Sequence, residues 1–296
     1  MDNFITLTSD ASLELFPSNR IGSFRSKLPH PIFVDRTKCE IGLYSVSFPN
    51  KLPTIVDGRF KIRGVVRGTG PSMIFRPAGE GEEAGGGVIR EIFSSARPSI
   101  ETRECSIPAG YYQSPQDLIL KLNQAIFATR FREPSHQGCD LSSGVVKFEY
   151  DETTEKVSLV ASDGISCEVR LQLSTDLYIK LGFGLAATNR SKFVRVPSVA
   201  PHPVDLEVGY NQIFIYSDIV EKNRIVGGQI TDLLAAVPLL GEHNSTGHYA
   251  PKIIEYRAMR FDKIEEINID LVGDDGNVLR FLSGKVILTL HIRERF

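Results

Sequence analysis

A chain of 296 residues, 42% of them hydrophobic, is long enough to bury at least one substantial core, and its net charge of −2 supplies no global field for nucleic acid or for an anionic membrane surface. No run approaches the about 18 apolar residues that a membrane-crossing helix needs. The opening Met1-Asp-Asn-Phe-Ile-Thr6 also lacks the basic-then-apolar order of a secretory leader, so a chain that neither spans a membrane nor is exported is expected. Cys39, Cys105, Cys139 and Cys167 lie far apart with no C-x-x-C pair. That usage predicts reduced thiols in a cytosolic or nuclear setting, although four cysteines admit more than one disulfide arrangement. Without a secretory route, the sequons Asn189-Arg-Ser191 and Asn244-Ser-Thr246 read as chance matches.

In chain order, residues 4–16 suggest an extended arm with two short strand segments, and Pro17, Pro29 and Pro31 then confine the region to an edge or the surface, because proline gives no N–H to a ladder. The whole of residues 1–35 is expected to be an N-terminal arm. Cys39–Phe48 is an alternating strand with Ile41, Leu43 and, less regularly, Val46 and Phe48 turned inward, and Phe60–Val66 is another. Residues 67–87 hold seven glycines with Pro71 and Pro77, which predicts a mobile loop of high ordering cost. Ile89–Ile92 and Ile100–Ile107 return to strand character.

Ser114-Pro115-Gln116-Asp117 is a helix start: a capping hydroxyl, a proline suited to the first helical position and an acid for the dipole, followed by Leu118, Ile119, Leu122, Ala125 and Ile126 at helical spacing. Val145–Tyr150 and Lys156–Ala161 flank residues 151–155 as a hairpin. Cys167–Leu173 is a third strand, and Ser174 caps a short helix that stops at Gly182-Phe183-Gly184. Residues 107–200 therefore read as an α+β insertion subdomain inside a β chain made of 1–106 plus 201–296. In the last part, Gln212–Tyr216 is a strand, and Gly227-Gly228 introduces Leu233–Leu240. Ile267-Asn268-Ile269-Asp270-Leu271 and Val286–Ile292 read as a closing hairpin about Asp274-Asp275-Gly276-Asn277, with the last strand covered on both faces. No internal repeat is evident. About nine to eleven strands with two helices point to a β-sandwich or barrel.

Motifs that carry chemistry are scarce. There is no G-x-x-x-x-G-K-[ST], and Gly68-Thr-Gly70 has neither a third glycine nor a following helix. His136-Gln-Gly-Cys139 has no second pair at zinc spacing, and His243 and His248 sit in a polar loop whose commonest explanation is solvation. No His-x-His triplet and no nucleophile elbow occur. Asp274-Asp275 lacks the spacing of a calcium loop and is explained by the turn. Cys139 or Cys167 could act with a distant His, but nothing marks either. The basic clusters Arg190-Ser-Lys192-Phe-Val-Arg195 and Arg293-Glu-Arg295 are most often solvated faces, with a contact to nucleic acid or an acidic partner as the sharper reading. The absence of Trp argues against a carbohydrate platform. No catalytic, cofactor-binding or metal-binding residue is predicted, no cofactor is implied, and a non-enzymatic, associating surface is expected.

Several segments, taken together and in order, resemble the minor capsid (penton) proteins of Polinton/Maverick-type elements and of the related adintoviruses and virophages. They are Phe4-Ile-Thr-Leu-Thr-Ser with Leu13-Glu-Leu-Phe-Pro17-Ser-Asn19; Leu28-Pro29 and Pro31-Ile32 running into Cys39-Glu-Ile-Gly-Leu43 and Phe48-Pro49; Ile107-Pro-Ala-Gly-Tyr-Tyr112; and Leu181-Gly-Phe183. The later ones are Ile215-Tyr-Ser-Asp-Ile-Val220, Ile225-Val-Gly227, Glu255-Tyr256, Ile264-Glu-Glu-Ile-Asn-Ile-Asp270 and Gly284-Lys-Val286 through His291. The pattern departs at Lys38-Cys39, where the family has Trp, and at the Gly-rich 67–87 loop, which resembles an element-specific insertion. The resemblance implies a mainly β chain: a single jelly roll with an α+β insertion, assembling as a homopentamer at the five-fold vertices of an icosahedral shell. Its partners would be itself and a double-jelly-roll major capsid protein, with no membrane and no specific nucleic acid. It would reside in the virion, after synthesis in the host cytoplasm and assembly there or in the nucleus. A ring requires a heterologous contact, for which the 1–35 arm and the loops near 49–58 and 226–251 are candidates. The 67–87 loop holds no Arg-Gly-Asp, so integrin binding has no support.

Two other classes stay open. One is a soluble jelly-roll binding or attachment module of lectin type, monomeric or trimeric, which a glycan hit would favour. The other is a β-sandwich hydrolase or protease using Cys139 or Cys167, which an active-site thiol probe would reveal.

Overall fold

The computed structural model describes residues 3–66, 99–128, 146–161, 168–184, 193–208, 210–239 and 241–295. Strands β1 (Asn3–Thr8), β2 (Ser23–Phe33) and β3 (Cys39–Pro49) open the chain, followed by β4 (Arg59–Val66) and β5 (Ser99–Ser106). Helix α1 (Pro115–Ala128) precedes β6 (Val146–Asp151), β7 (Lys156–Ala161) and β8 (Glu168–Leu173). Helix α2 (Thr175–Lys180), β9 (Phe193–Val196) and β10 (Ser198–Val199) come next. The remainder holds β11 (Gln212–Ser217), β12 (Arg224–Val226), β13 (Gln229–Thr231), β14 (Leu233–Pro238), β15 (Thr246–Tyr249), β16 (Arg257–Ala258), β17 (Lys263–Gly273) and β18 (Ile287–Glu294). Contacts divide the chain into two compact units: Met1–Val56 with Ala109–Tyr112 and Asp205–Phe296, and Asp57–Pro108 with Gln113–Val204.

In the first unit, strands that are buried on alternate residues pair into two antiparallel sheets, ordered β1-β18-β3-β15 (with β16 also on β3) and β14-β11-β17-β2. Lettering its eight sandwich strands B to I in chain order gives B-I-D-G and F-E-H-C, which is the jelly-roll arrangement. Ile41, Phe48, Ile215, Ile267, Leu271, Leu288 and Ile292 fill one hydrophobic core. Phe48 and Ile41 are wholly buried, each removing an apolar side chain from water at about 1.5–3 kcal/mol.

Three expectations need correction here. The last two long strands do not form a hairpin: Asp274–Asn277 makes the turn, with Gly276 at φ +79, but β17 lies in one sheet and β18 in the other. The chain crosses the sandwich through Leu279, whose N–H still bonds Leu271 O at 2.8 Å. Nor is residues 1–35 an arm. Ile5 and Leu7 face the core while β1 runs along β18, and Phe24 on β2 is buried, so both segments are strands of the sandwich. Their proline content sets position rather than excluding pairing: Pro29 and Pro31 fall where the β2–β17 register jumps from Lys27↔Glu266 to Ile32↔Ile264, on an edge strand that needs no further partner. Likewise, the 226–251 region holds β13, β14 and β15 rather than being loop throughout.

Irregular burial along β3 has a local cause. The register passes from Ser45↔Thr289 to Leu43↔Leu290, leaving Tyr44 as the extra residue of a bulge. The bulge resets the alternation, so Ile41 and Leu43 on one side of it and Val46 and Phe48 on the other all point inward.

The second unit begins at Asp57, not at 107. β4 and β5, expected with the jelly roll, pair with β8 in a sheet ordered β5-β4-β8-β9. A second sheet, β10-β7-β6, contains the expected hairpin. The expected cap holds at α1, where Asp117 N–H donates to Ser114 Oγ at 3.2 Å, and Leu118 and Leu122 are fully buried. Ser174 caps α2 by accepting from Leu177 N–H at 3.3 Å. Asn123 clamps α1 to β6: its Nδ2 donates to Phe148 O and its Oδ1 accepts from Phe148 N–H, both at 2.9 Å. The 67–87 loop, the Ile89–Ile92 strand, His136, Cys139 and Cys167 lie outside the described residues.

Candidate interaction surfaces

Among the described residues, no group of three or more His, Cys, Asp or Glu side chains is placed to hold a metal ion, and no helix is long and apolar enough to cross a membrane. Cys39 and Cys105 are buried thiols in different units. His248 Nδ1 hydrogen-bonds Ser47 Oγ at 2.9 Å across the β15–β3 pair. Of the basic clusters, Arg293 and Arg295 are both paired with Glu40, at 2.8 and 4.0 Å, while Arg190 and Lys192 fall outside the described residues.

The outward face of the β1-β18-β3-β15 sheet carries an aromatic cluster. Alternation that turns Ile5 and Leu7 inward turns Phe4 outward, and Phe4 sits opposite His291 on β18. Their rings stack at 4.5 Å. Tyr44, pushed out by the bulge, meets Phe4 edge-on at 5.0 Å. Tyr256 Oη is 2.8 Å from His291 Nδ1, and the Arg293 guanidinium lies 3.6 Å over the Tyr256 ring. The segment bearing Tyr256 rests on the sheet because Gly42 has no side chain. A Cβ there would lie 2.4 Å from Ile254 Cγ2 and 3.0 Å from Glu255 O. Phe4 and Tyr44 remain 57% and 47% exposed, so the cluster is assembled but uncovered.

A second uncovered apolar feature is the β12–β13 ribbon between β11 and β14. Gly227 and Gly228, at φ +55 and +83, make the two-residue turn that matches the twist of its strands. Ile225 and Ile230 are directly paired on it, 75% and 67% exposed. A lone two-stranded ribbon is marginal in water; this one is tied down by Arg224 to Glu255 at 2.9 Å and by Glu221 N–H to Ala258 O at 3.0 Å. Ile253, on the segment next to Glu255, is exposed as well.

Loops at the other end are cross-braced. Ile55 and Gly110 exchange both backbone hydrogen bonds, Tyr112 N–H donates to Thr54 Oγ1 at 2.8 Å, and Tyr111 stacks on His243. Burial first, and the nearby Lys51 ammonium second, hold the His243 imidazole below its ordinary value. On β11's exit, burial raises the Asp218 carboxyl above its ordinary value despite the Asn268 N–H it accepts at 2.9 Å. Sequence reasoning missed the aromatic cluster and the ribbon. The one legible signal was Phe4, an aromatic on the polar phase of an alternating strand.

No family model matches the chain, and no curated protein matches it. Among solved structures it is similar to the crystal structure of the mavirus penton protein, at 13% identity and a TM-score of 0.45, over 100% of both chains. It is also similar to a chain in the cryo-EM structure of the Sputnik virophage, at 12% identity and a TM-score of 0.40, over 98% of this chain and 97% of that one.

Proposed function

We propose that the chain is a structural, non-enzymatic subunit of a virion shell, a penton protein that closes into a homopentamer at the five-fold vertex beside a double-jelly-roll major capsid protein. The observation that carries this reading is a complete jelly roll bearing uncovered apolar groups in two unlike places, Phe4 with Tyr44 on a sheet face and Ile225 with Ile230 on a ribbon. A ring needs such a pair of faces, since each copy meets its neighbour through a different surface from the one it offers the next. The order of family-like segments along the sequence supports the same assignment. Synthesis in the host cytoplasm precedes incorporation into the virion in this reading.

Native mass spectrometry tests it. Five times the 32.8 kDa chain is 164 kDa, and that species is the expected one, alone or on mixing with the major capsid protein. Loss of that species in Phe4→Ser with Tyr44→Ser, or in Ile225→Ser with Ile230→Ser, assigns the contact. A dimer or trimer under both conditions overturns the pentamer and favours an attachment module.

A further inference from the structure

The four-stranded sheet of the second unit turns one face to its own core and the other outward. Phe60 and Ile62 on β4 and Val169 and Leu171 on β8 are buried, so alternation places Arg59, Lys61, Arg63, Arg170 and Gln172 on the opposite face. The register then sets three arginines in a lateral row: Arg63 directly opposite Arg170, and Arg170 directly opposite Arg195 on β9. Neighbouring strands are about 4.8 Å apart, and like charges directly opposite one another destabilise a sheet. Glu168 is shared by two of the three, at 2.8 Å from Arg170 and 3.7 Å from Arg195.

Arg63 is paired with no carboxylate among the described residues. Its guanidinium carbon lies 4.8 Å over the Phe193 ring, and its Nε is shielded from water without a hydrogen-bond partner. Gln172 Oε1, opposite Phe193 in the register, is likewise shielded and has no hydrogen-bond partner among the described residues. The remaining cations are Lys61, paired with Glu104, and Arg59, held by Asp57 at 2.9 Å. Among the described residues, the cations Arg59, Lys61, Arg63, Arg170 and Arg195 thus meet the carboxylates Asp57, Glu104 and Glu168 on this face, in a chain whose net charge is −2. Where β5, β4 and β8 adjoin, the surface includes a depression of about 600 Å³ lined by Arg59, Lys61, Glu104 and Gln172 among others.

We propose that this face binds single-stranded nucleic acid through its phosphates, without reading sequence. Cations at every second residue of β4 recur at about 6.7 Å, close to the separation of successive phosphates in an extended strand. An anion over the arginine row removes the repulsion that the register builds in. The Arg63–Phe193 pair offers a planar cation and a ring for a base to rest against. An acidic peptide would meet the charge but leave the ring without a stacking partner. This inference stands apart from the shell assignment.

The test is fluorescence anisotropy of labelled oligothymidylate with the full chain over a series of salt concentrations. Binding is expected to fall log-linearly with salt, and Arg170→Gln and Arg195→Gln are each expected to reduce the slope by about 0.7. The melting temperature of the unbound Arg195→Gln variant should be unchanged or raised, because a like-charge neighbour has been removed while Arg170 keeps Glu168 paired. Arg195, whose side chain is 77% exposed, keeps the test valid if Arg170→Gln proves unstable. Absence of salt-dependent binding, or a slope unchanged in both variants, overturns the proposal. So does displacement by polyglutamate as efficient as by unlabelled oligonucleotide, which would assign the face to an acidic protein segment.

Discussion

Phe4 and His291 stand face to face on neighbouring strands, rings 14° from parallel, yet the sheet beneath them is already complete without their contact. A cross-strand aromatic pair of this kind contributes about 0.5–1.5 kcal/mol, and Phe4's exposure places it at the low end. Phe4→Ala is therefore expected to cost about 0.5 kcal/mol in chemical denaturation. Its effect on oligomer mass should be far larger than that, and a stability loss large enough to unfold the chain would contradict the assignment of Phe4 to an interface.

Gly42 is a sharper probe of the same face. Valine there would press the Ile254 side chain and the Glu255 backbone carbonyl of the segment packed on the sheet. Overpacking of this type costs about 1–3 kcal/mol. Gly42→Val should lower the melting temperature and raise hydrogen exchange in residues 253–257, whereas normal protection there would mean that the segment does not need the glycine.

Asn123 serves the Phe148 backbone with both ends of its amide. Asn123→Ala leaves a buried N–H and C=O unmet, at about 1–3 kcal/mol for each group not reached by water. Asn123→Asp keeps the acceptor for Phe148 N–H but sets a carboxylate oxygen against Phe148 O, so its urea midpoint should also fall below that of the wild type.

His243 makes stability acid-sensitive. Because its folded-state value lies below the ordinary 6.5, the unfolded chain takes up a proton that the folded chain refuses. The contribution is present above pH 6.5 and is lost as pH falls through that value toward the lower folded one. His243→Phe should flatten the slope of unfolding free energy in this window; an unchanged slope would remove His243 as its source.

Asp218 acts with the opposite sign. Its carboxyl is raised above the ordinary 3.8 by burial, so its contribution is full below that value and is lost as pH rises through the raised one. Asp218→Asn keeps an acceptor for Asn268 N–H without a buried charge. It should be at least as stable as wild type at neutral pH, and a marked loss there would show that the charge itself is needed.

Period-2 burial made the core-facing residues of β3, β17 and β18 readable, although the outer face of β18, expected to be covered as well, leaves Ile287 exposed, and the Ser114 and Ser174 caps made both helix starts readable. Partner choice was not readable, because alternation tells a strand which side faces the core and not which strand lies beside it. Hence β17 and β18, adjacent in sequence around a good turn, ended in different sheets, and β4 found β8 more than a hundred residues later. The Tyr44 bulge shows the same limit at a finer scale, since one extra residue reverses the phase of everything after it. The arginine row is the clearest case: Arg63, Arg170 and Arg195 are unremarkable singly and become a feature only through register.

The brief return of Ala109–Tyr112 to the first unit has a genetic corollary. The second unit is not one uninterrupted stretch, so excising residues 57–204 in a single cut would also remove Gly110 and leave both polar groups of Ile55 without their partner. A minimal jelly roll has to retain that tetrapeptide on a designed bridge.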